Sequence, residues 1–158
     1  MHPNAKLLET FYTAFQNKDY QTMQNCYHQD ATFSDEAFKN LNSKEVQAMW
    51  QMLITRGKDL QLEFSNITAD DLKGTAHWEA TYTFSKTGNK VLNKIDANFT
   101  FKDGKIYTHI DTFNFHTWAS QALGIIGTLL GWTSYLQNKV SATATEQLQK
   151  FMEKNKAS

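Results

Sequence analysis

The chain has very little cysteine and proline, the residues that cross-link or interrupt small proteins. Its 158 residues include one cysteine, Cys26, and one proline, Pro3. One cysteine excludes an intrachain disulfide and a zinc site built from several thiolates, and it fits a reducing compartment. No basic segment followed by an apolar run stands at the N-terminus, so no signal peptide is expected. We therefore predict a cytoplasmic protein.

An excess of charge of one sign is also missing. The 16 basic residues balance the 16 acidic residues, and the formal net charge is zero. This balance gives no electrostatic reason to expect nucleic acid or an anionic membrane as a partner. Arginine is almost absent, because Arg56 is the only one in the chain. That scarcity limits the chemistry that an arginine-dependent site could perform.

Long apolar runs, cofactor motifs and metal motifs are missing as well. The longest apolar segment, 122–136, is about 15 residues long, whereas a helix needs ~20 to span a bilayer. We therefore predict no stable membrane insertion. The chain has no glycine-rich phosphate loop, no dinucleotide-binding glycine pattern and no pair of ligands at metal-binding spacing. Neither a cofactor nor a metal is predicted.

What the chain does have is aromatic and apolar residues in periodic order. Eleven Phe, six Tyr and four Trp give it ample material for a core. Apolar residues at helical spacing follow Asn4, which is a candidate N-cap for the first helix. Asp19 is predicted to begin a second short helix whose inward side chains are Met23, Cys26 and Tyr27. A short strand is predicted over 31–35. A third helix is predicted from Asn42 or Ser43, with Glu45 completing a capping box and Gly57 ending it.

From Leu60 onward the apolar period changes to two, which is typical of strands. Trp78, Ala80 and Tyr82 share one face of a strand, whereas His77 and Glu79 share the outward face. Ser65-Asn66 predicts a bulge, and Asp103-Gly104 predicts a hairpin turn. This one-sided alternation predicts an antiparallel sheet covered by helices on one face, an α+β fold. Two more helices are predicted over 118–130 and 141–154.

Three polar residues are predicted on the covered face. Asp35 follows Phe33 on one side of the first strand, and His109 and Asp111 lie side by side on the last strand. We expect Asp35 to enter the same cavity from the other end of the sheet order. A desolvated carboxyl has a raised pKa, which suits a general acid or base, and a nearby histidine can orient it or relay its proton. Two structural alternatives stay open: His109 and Asp111 satisfy each other, and Asp35 caps the loop that follows it.

The pocket around these residues is expected to be lined by aromatic and small apolar side chains. The predicted lining residues are Phe11, Tyr12, Phe33, Trp50, Trp78, Tyr82, Ala97, Phe99 and Phe113. Such a lining favours a flat or apolar small molecule as the ligand.

Several segments together resemble the SnoaL-like branch of the nuclear transport factor 2-like superfamily. They are Phe11-Tyr-Thr-Ala-Phe15, Asp19 before a short helix, Tyr27-His-Gln-Asp-Ala-Thr-Phe-Ser-Asp35, Phe101-Lys-Asp-Gly-Lys-Ile106 and Asp111-Thr-Phe113. The resemblance implies a curved antiparallel, cystatin-like sheet around N-terminal helices, with a conical pocket. It implies one domain over 1–158, with a core of about 5–117 and a C-terminal helical extension, 118–158. It also implies a homodimer through the outer sheet face.

The resemblance reaches ketosteroid isomerases, polyketide cyclases and limonene epoxide hydrolases, and it implies a cofactor-independent reaction. Asp35 lies where the isomerase has its base, but Phe11 and Ala97 stand at the positions of the isomerase's tyrosine and protonated aspartate donors. The hydrolase pattern needs an arginine between two acids, and Arg56 ends a helix instead. Asp35, His109 and Asp111 remain, which resembles acid/base chemistry of the cyclase kind on a hydrophobic carbonyl compound. The alternative is a non-catalytic ligand-binding or dimeric interaction module.

Overall fold

The computed structural model describes residues 1–156 and combines six helices with six strands in that range. The elements are α1 (Pro3–Gln16), α2 (Tyr20–Asn25), β1 (Tyr27–Ser34), β2 (Leu41–Asn42), α3 (Ser43–Arg56), β3 (Gln61–Ala69), β4 (Lys73–Phe84), β5 (Asn89–Lys102), β6 (Lys105–Thr112), α4 (Phe115–Leu123), α5 (Ile125–Leu130) and α6 (Ser134–Lys156). The strands form one sheet in the order β2-β1-β6-β5-β4-β3. The predicted α+β class is confirmed.

Local sequence signals produce the turns and caps that they predict. Asp103 and Gly104 both have positive φ, 54° and 73°, as a two-residue type I′ hairpin turn requires. The Asn42 side chain accepts from the Glu45 backbone N–H, while the Glu45 carboxylate accepts from the Asn42 N–H, a complete capping box. The register of β3 against β4 shifts after Ser65, which is the predicted bulge. Short-range chemistry therefore fixes these boundaries.

Two boundaries near the N-terminus differ from the sequence expectation. Helix α1 begins at Pro3, and the Nδ1 atom of His2, rather than the Asn4 side chain, accepts a backbone hydrogen bond at its start. Proline fits the first helical position because its missing N–H has no partner there in any case. Strand β1 begins at Tyr27 instead of residue 31, so Tyr27 belongs to the sheet and not to the short helix. The register of β1 against β6 shifts between Tyr27 and Thr32, which hides the alternation of this part of the strand.

The sheet is mixed, because β1 runs parallel to β6, with Phe33 opposite His109. The other strand pairs are antiparallel, as expected. The expectation that Asp35 approaches from the other end of the sheet order is therefore wrong, since β1 and β6 are direct neighbours. Alternation shows which face of a strand is buried but not which strand it pairs with or in which direction. Residues 35–104 separate β1 from β6, which leaves room for the long crossover that a parallel pair needs.

Strand β6 carries an extra residue that resets its alternation. Phe101 pairs with Ile106 and Thr100 pairs with Thr108, so Tyr107 is left over as a bulge. Ile106 is consequently buried, although strict alternation places it on the face opposite His109. Beyond the bulge, His109 and Asp111 both point into the core, and both are buried.

The helical region after β6 also differs from its prediction. The single helix expected over 118–130 is divided at Gly124, which has a φ of 66° and separates α4 from α5. The final helix begins at Ser134, seven residues before the predicted start at Ser141. Helix α4 covers the part of β5 that β6 does not reach, because Gln121 bonds both backbone groups of Leu92. Within 1–156, no helix combines the length and apolarity needed to cross a membrane.

The interior consists of two apolar clusters. The main cluster fills the space between the sheet and helices α1 and α3, and a smaller one lies under α4 around Trp118. Tyr82 and Phe113 pack against both clusters and mark the boundary between them. Tyr82 and Phe113 are also two of the predicted pocket-lining residues.

Candidate functional site

A buried chain of hydrogen bonds crosses the main cluster from α3 to the sheet. The Trp50 indole N–H donates to the Tyr27 hydroxyl oxygen at 2.9 Å. The same hydroxyl lies 2.8 Å from Nδ1 of His109, and Nε2 of His109 lies 2.9 Å from Oδ1 of Asp111. The Trp78 indole N–H makes a longer contact of 3.5 Å with that same carboxylate oxygen. The structure thus brings His109 and Asp111 together, as the sequence predicted.

The donors and acceptors of this chain allow one fully satisfied arrangement. An indole N–H can only donate, and an ionised carboxylate can only accept. If the His109 proton is on Nε2, it goes to Asp111, and Nδ1 accepts the Tyr27 hydroxyl proton. Tyr27 then accepts from Trp50 with its oxygen. Every proton points toward Asp111, so the chain ends on one carboxylate.

Aromatic rings enclose His109 on several sides. Phe33 meets its ring edge-on with centroids 4.9 Å apart, and Phe99 lies 4.3 Å away. Phe11 adds a third ring at 5.9 Å. The side chains of His109 and Asp111 are 0% and 2% exposed. In such a low-dielectric setting the hydrogen bonds of the chain are strengthened, and any partner left unpaired is costly.

Asp35 lies just past the end of β1, at the turn that leads to β2. Its Oδ1 atom accepts backbone hydrogen bonds from Ala37 at 2.8 Å and Phe38 at 2.6 Å. Burial raises the pKa of the Asp35 carboxyl from 3.8 to about 7, although the two backbone N–H groups oppose the shift. The carboxyl therefore caps the turn and also titrates near neutral pH.

The charges of the polar groups in the core act on one another's pKa values. The negative charge of Asp111 contributes to the raised pKa of Asp35, while the Lys39 ammonium acts in the opposite direction. Burial raises the pKa of Tyr82, and the charge of Asp35 adds to it. The Tyr82 hydroxyl accepts from the Trp118 indole N–H at 2.8 Å. Asp111 thus acts on Asp35, and Asp35 acts on Tyr82, which packs against both apolar clusters.

Tyr12 is an exception to the satisfied network. Its hydroxyl is fully buried, and it is the buried side-chain polar atom without a hydrogen-bond partner in the described chain. Burial, and next the charge of Asp111, raise the pKa of Tyr12 well above its usual value. The ring stacks on Phe64 and lies near Trp78 and Phe99. A buried hydroxyl without a partner costs free energy, so the unpaired Tyr12 hydroxyl needs an explanation.

Two tyrosine substitutions should have opposite effects on stability. Tyr12→Phe removes a hydroxyl that has no partner, so we expect the free energy of unfolding to rise by about 1 kcal/mol. Tyr27→Phe is its matched control, because that hydroxyl links Trp50 to His109. We expect Tyr27→Phe to lower the free energy of unfolding by about 1–3 kcal/mol. Urea denaturation measures both values, and a destabilising Tyr12→Phe would show that its hydroxyl has a partner.

The predicted lining residues lie in the same interior. Seven of them are buried in the main cluster: Phe11, Tyr12, Phe33, Trp50, Trp78, Ala97 and Phe99. Tyr82 and Phe113 lie at the boundary of the two clusters. Sequence reasoning missed Tyr27 and Trp118 as polar partners of the site. Tyr27 and Phe33 are both odd-numbered residues of β1, so extending the alternation of apolar residues back from Phe33 would have placed Tyr27 on the buried face. Gln29 is also odd-numbered but exposed, and it interrupts this alternation.

Helix α6 holds the turn that carries Asp35. The Gln137 amide donates to the Glu36 backbone oxygen at 3.3 Å, and the Ser141 hydroxyl donates to the Ala37 backbone oxygen. Ala37 therefore bonds to both sides: its carbonyl oxygen accepts from α6, and its N–H donates to the Asp35 carboxyl. The C-terminal helix is therefore part of the structure that surrounds the site.

Concave surface regions lie elsewhere on the molecule. A depression of about 550 Å³ runs along α1 and α2 near Lys6 and Asn17, and one of about 300 Å³ lies on the outer sheet face near His77 and Asp96. Asp35, His109 and Asp111 line neither of them. Within the described residues, no three His, Cys, Asp or Glu side chains are arranged to hold a metal ion.

Comparison with known proteins places the fold. Residues 8–109 match the model of the SnoaL-like domain. No curated protein matches the chain. Many solved structures match it in fold, and one of them is an LEH-like epoxide hydrolase of M. tuberculosis. That protein has a TM-score of 0.63 and 17% identity, and the match covers 81% of this chain and 96% of that one.

Two further similar structures extend the range of the fold. IdmH, a candidate polyketide cyclase from Streptomyces antibioticus, has a TM-score of 0.63 and 17% identity, with 78% of this chain and 100% of that chain covered. A cystatin-fold protein from Novosphingobium aromaticivorans has a TM-score of 0.60 and 13% identity, covering 70% and 97% of the two chains. At these identities the similarity establishes the fold alone.

Proposed function

The chain belongs to the SnoaL-like domain family, and on that premise we propose that it binds a small hydrophobic carbonyl compound and transfers a proton on it. The observation that carries this proposal is the half-buried Asp35 side chain, which lies at the end of β1 beside the aromatic interior and whose pKa is raised by burial to about 7. A base with a pKa near the working pH is ionised often enough to act and basic enough to remove a proton. The proposed reaction is an isomerisation, cyclisation or hydrolysis that needs no cofactor.

The proposed proton transfer uses Asp35 as the base. The carboxylate removes a proton from the carbon next to a carbonyl group, and the electron pair moves onto the carbonyl oxygen to give an enolate. Protonated Asp35 then returns the proton to the same or another carbon. The charge on the enolate oxygen needs a donor, and the Tyr12 hydroxyl is a buried donor without a protein partner. In this proposal His109 and Asp111, which are held in place by their hydrogen bond, polarise the substrate or relay its proton.

Access to this interior requires movement. The side chains of His109 and Asp111 are almost fully buried, and Tyr12 is 0% exposed. The Asp35 turn is only half-buried, and α6 is bonded to it through Gln137 and Ser141. We propose that a ligand enters at this turn while α6 shifts.

Deuterium exchange tests the chemistry without knowledge of the natural substrate. We propose to incubate the protein with 2-tetralone, an enolisable apolar ketone, in D2O and to follow the loss of its α-hydrogens by proton NMR. We expect the protein-dependent rate to rise as the pH passes through about 7, because Asp35 must be ionised to act as the base. Asp35→Asn should lower that rate by roughly 10²–10⁴-fold.

An exposed carboxylate provides the matched control for this experiment. Asp30 lies on the same strand as Phe33, and its side chain is 66% exposed. Asp30→Asn should exchange 2-tetralone at the wild-type rate. A rate that is the same in Asp35→Asn and in the wild type would contradict the role of Asp35.

The second candidate function is a non-catalytic binding or interaction module of the same fold. It is favoured by the two backbone hydrogen bonds that Asp35 accepts, which give the carboxyl a structural reason to be present. In that case 2-tetralone would raise the melting temperature of the protein without any exchange above the buffer rate. Measuring melting temperature and exchange on the same samples separates the two functions.

Three further expectations stay proposals. We propose one domain with a C-terminal helical extension, in line with the family model, which ends at residue 109. A homodimer stays a proposal, and the family resemblance by itself implies a contact through the outer sheet face. A cytoplasmic location stays a prediction from the single cysteine.

A further inference from the structure

The most unusual surface of the molecule is an apolar patch on and beside α5. Its six large side chains are between 42% and 79% exposed: Ile125, Ile126, Leu129, Leu130, Trp132 and Tyr135. With roughly 200 Å² for a fully exposed large side chain, the patch presents about 800 Å². The largest apolar patch of a typical monomer measures about 300–600 Å². We refer to these six residues as the α5 patch.

Glycine packing forces the large side chains of α5 outward. A Cβ atom at Gly127 would lie 1.8 Å from the backbone oxygen of Ala119, so no larger residue fits between α5 and α4. A Cβ atom at Gly131 would lie 2.8 Å from the His116 ring. The side of α5 that faces the protein must therefore be its glycine side. The helix cannot rotate to bury the patch without losing this contact.

Trp132 is exposed but held in one orientation. Its indole N–H donates to the Leu129 backbone oxygen at 3.0 Å, and its ring stacks on His116 with centroids 5.1 Å apart and planes 8° from parallel. The side chain is nevertheless 77% exposed. A fixed, exposed tryptophan loses little conformational entropy on binding, which is typical of the residues that dominate protein interfaces.

The α5 patch also lacks charge. Residues 112–138 contain no Asp, Glu, Lys or Arg. A symmetric contact between two copies places the same patch on both sides of a two-fold axis. With no charged residue in the segment, the contact brings no like charges together and buries no unpaired ion. Charge within this segment therefore does not oppose a symmetric contact.

We propose that the α5 patch is the contact between two copies of this chain. The exposed area of about 800 Å² equals the area that each partner contributes to a standard stable interface. This contact would replace the outer sheet face that the family resemblance implies, because His77 lies on that face between Asp96 and Glu79, 2.8 Å from each. Burying that ionic network carries a desolvation cost that the α5 patch does not. The proposal does not depend on the chemistry of Asp35.

A lipid surface is the other apolar partner that such a patch could meet. Interfacial helices combine their apolar face with a strongly charged, usually basic, polar face. No Lys or Arg lies within 112–138, and the first one after the patch is Lys139. A second copy is thus the favoured occupant.

Sedimentation velocity on the full chain tests the proposal. We expect the wild-type protein to be dimeric at 100 µM, and the double substitution Leu129→Ser with Trp132→Ser to raise the dimer dissociation constant by at least roughly 30-fold, as expected for interface hot spots. Circular dichroism should stay unchanged, because both side chains are largely exposed. Leu72→Ser is the matched control, since Leu72 is 73% exposed but lies outside the patch. It should leave the dissociation constant unchanged.

A second variant separates the α5 patch from the sheet face. Ile110 is 51% exposed, and its strand position puts it on the face opposite His109. Ile110→Ser should leave the dimer intact. The proposal is overturned by a monomeric wild type at 100 µM, by a dimer that Ile110→Ser dissociates while the α5 double variant does not, or by a monomer that binds phosphatidylcholine vesicles through Trp132.

Discussion

Replacing Asp35 with asparagine should stabilise the fold at pH 8. The burial that raises the pKa of Asp35 to about 7 also penalises its ionised form in the folded protein. An asparagine carries no charge at any pH, and its amide oxygen can still accept the backbone hydrogen bonds of Ala37 and Phe38. We expect the free energy of unfolding at pH 8 to exceed the wild-type value by about 2–4 kcal/mol.

The sign of the pH dependence follows from proton binding. Between the unfolded pKa near 4 and the folded pKa of about 7, the folded state keeps a proton on Asp35 that the unfolded state has lost. Stability therefore falls as the pH rises through this window, and the stabilising contribution of protonated Asp35 is complete only below pH 4. Wild type and Asp35→Asn should then be similar at pH 4 and diverge up to about pH 8. Urea denaturation at several pH values measures the difference, and contributions from other titrating groups cancel in it.

Asp59 offers a control of the opposite sign. Hydrogen bonds from Thr83 lower the pKa of this exposed carboxyl to about 2. Its contribution to stability is present above pH 4 and is lost as the pH falls toward 2. Asp59→Asn should consequently destabilise the protein at pH 8, whereas Asp35→Asn stabilises it. Equal pH profiles for Asp35→Asn and wild type would show that the Asp35 carboxyl is well solvated.

Removing the acceptor at the end of the buried hydrogen-bond chain should cause the largest loss of stability. Asp111→Ala leaves the His109 Nε2 atom and the Trp78 indole N–H without their acceptor in a nearly dry core. We expect the free energy of unfolding to fall by about 3–5 kcal/mol. Asp111→Asn keeps an acceptor oxygen, so its loss should be smaller, about 1–2 kcal/mol. Guanidinium denaturation at pH 7 measures both.

Replacing both partners separates the value of the pair from the cost of breaking it. The double variant His109→Leu with Asp111→Leu removes both polar groups, and we expect it to be more stable than Asp111→Ala. Asp111→Ala and the double variant both remove the Asp111 charge, which contributes to the raised pKa of Asp35. The pH midpoint assigned to Asp35 should therefore move down in every Asp111 variant. A loss below about 1 kcal/mol for Asp111→Ala would mean that water replaces the carboxylate.

Much of the fold can be predicted from the sequence because interactions between residues close together in the chain determine it. The Asp103-Gly104 turn, the Asn42–Glu45 capping box and the bulge after Ser65 each depend on a few neighbouring residues. The alternation around Trp78 likewise determines which face of β4 is buried. The inward position of His109 and Asp111 was predicted on the same basis, whereas alternation gave no sign of the Tyr107 bulge, which shifts the phase of β6 and buries Ile106.

The sequence by itself determined the α+β class, the buried faces of the strands and the pair of polar residues on β6. Tertiary structure alone decided that β1 lies beside β6 in parallel, that Tyr27 joins Trp50 to His109, and that Tyr12 has no partner. It also decided that α5 turns its glycines inward and its large side chains outward. The physical reason is sequence distance: caps, turns and alternation act over a few residues, whereas Tyr27 and His109 meet only after the whole sheet has been assembled.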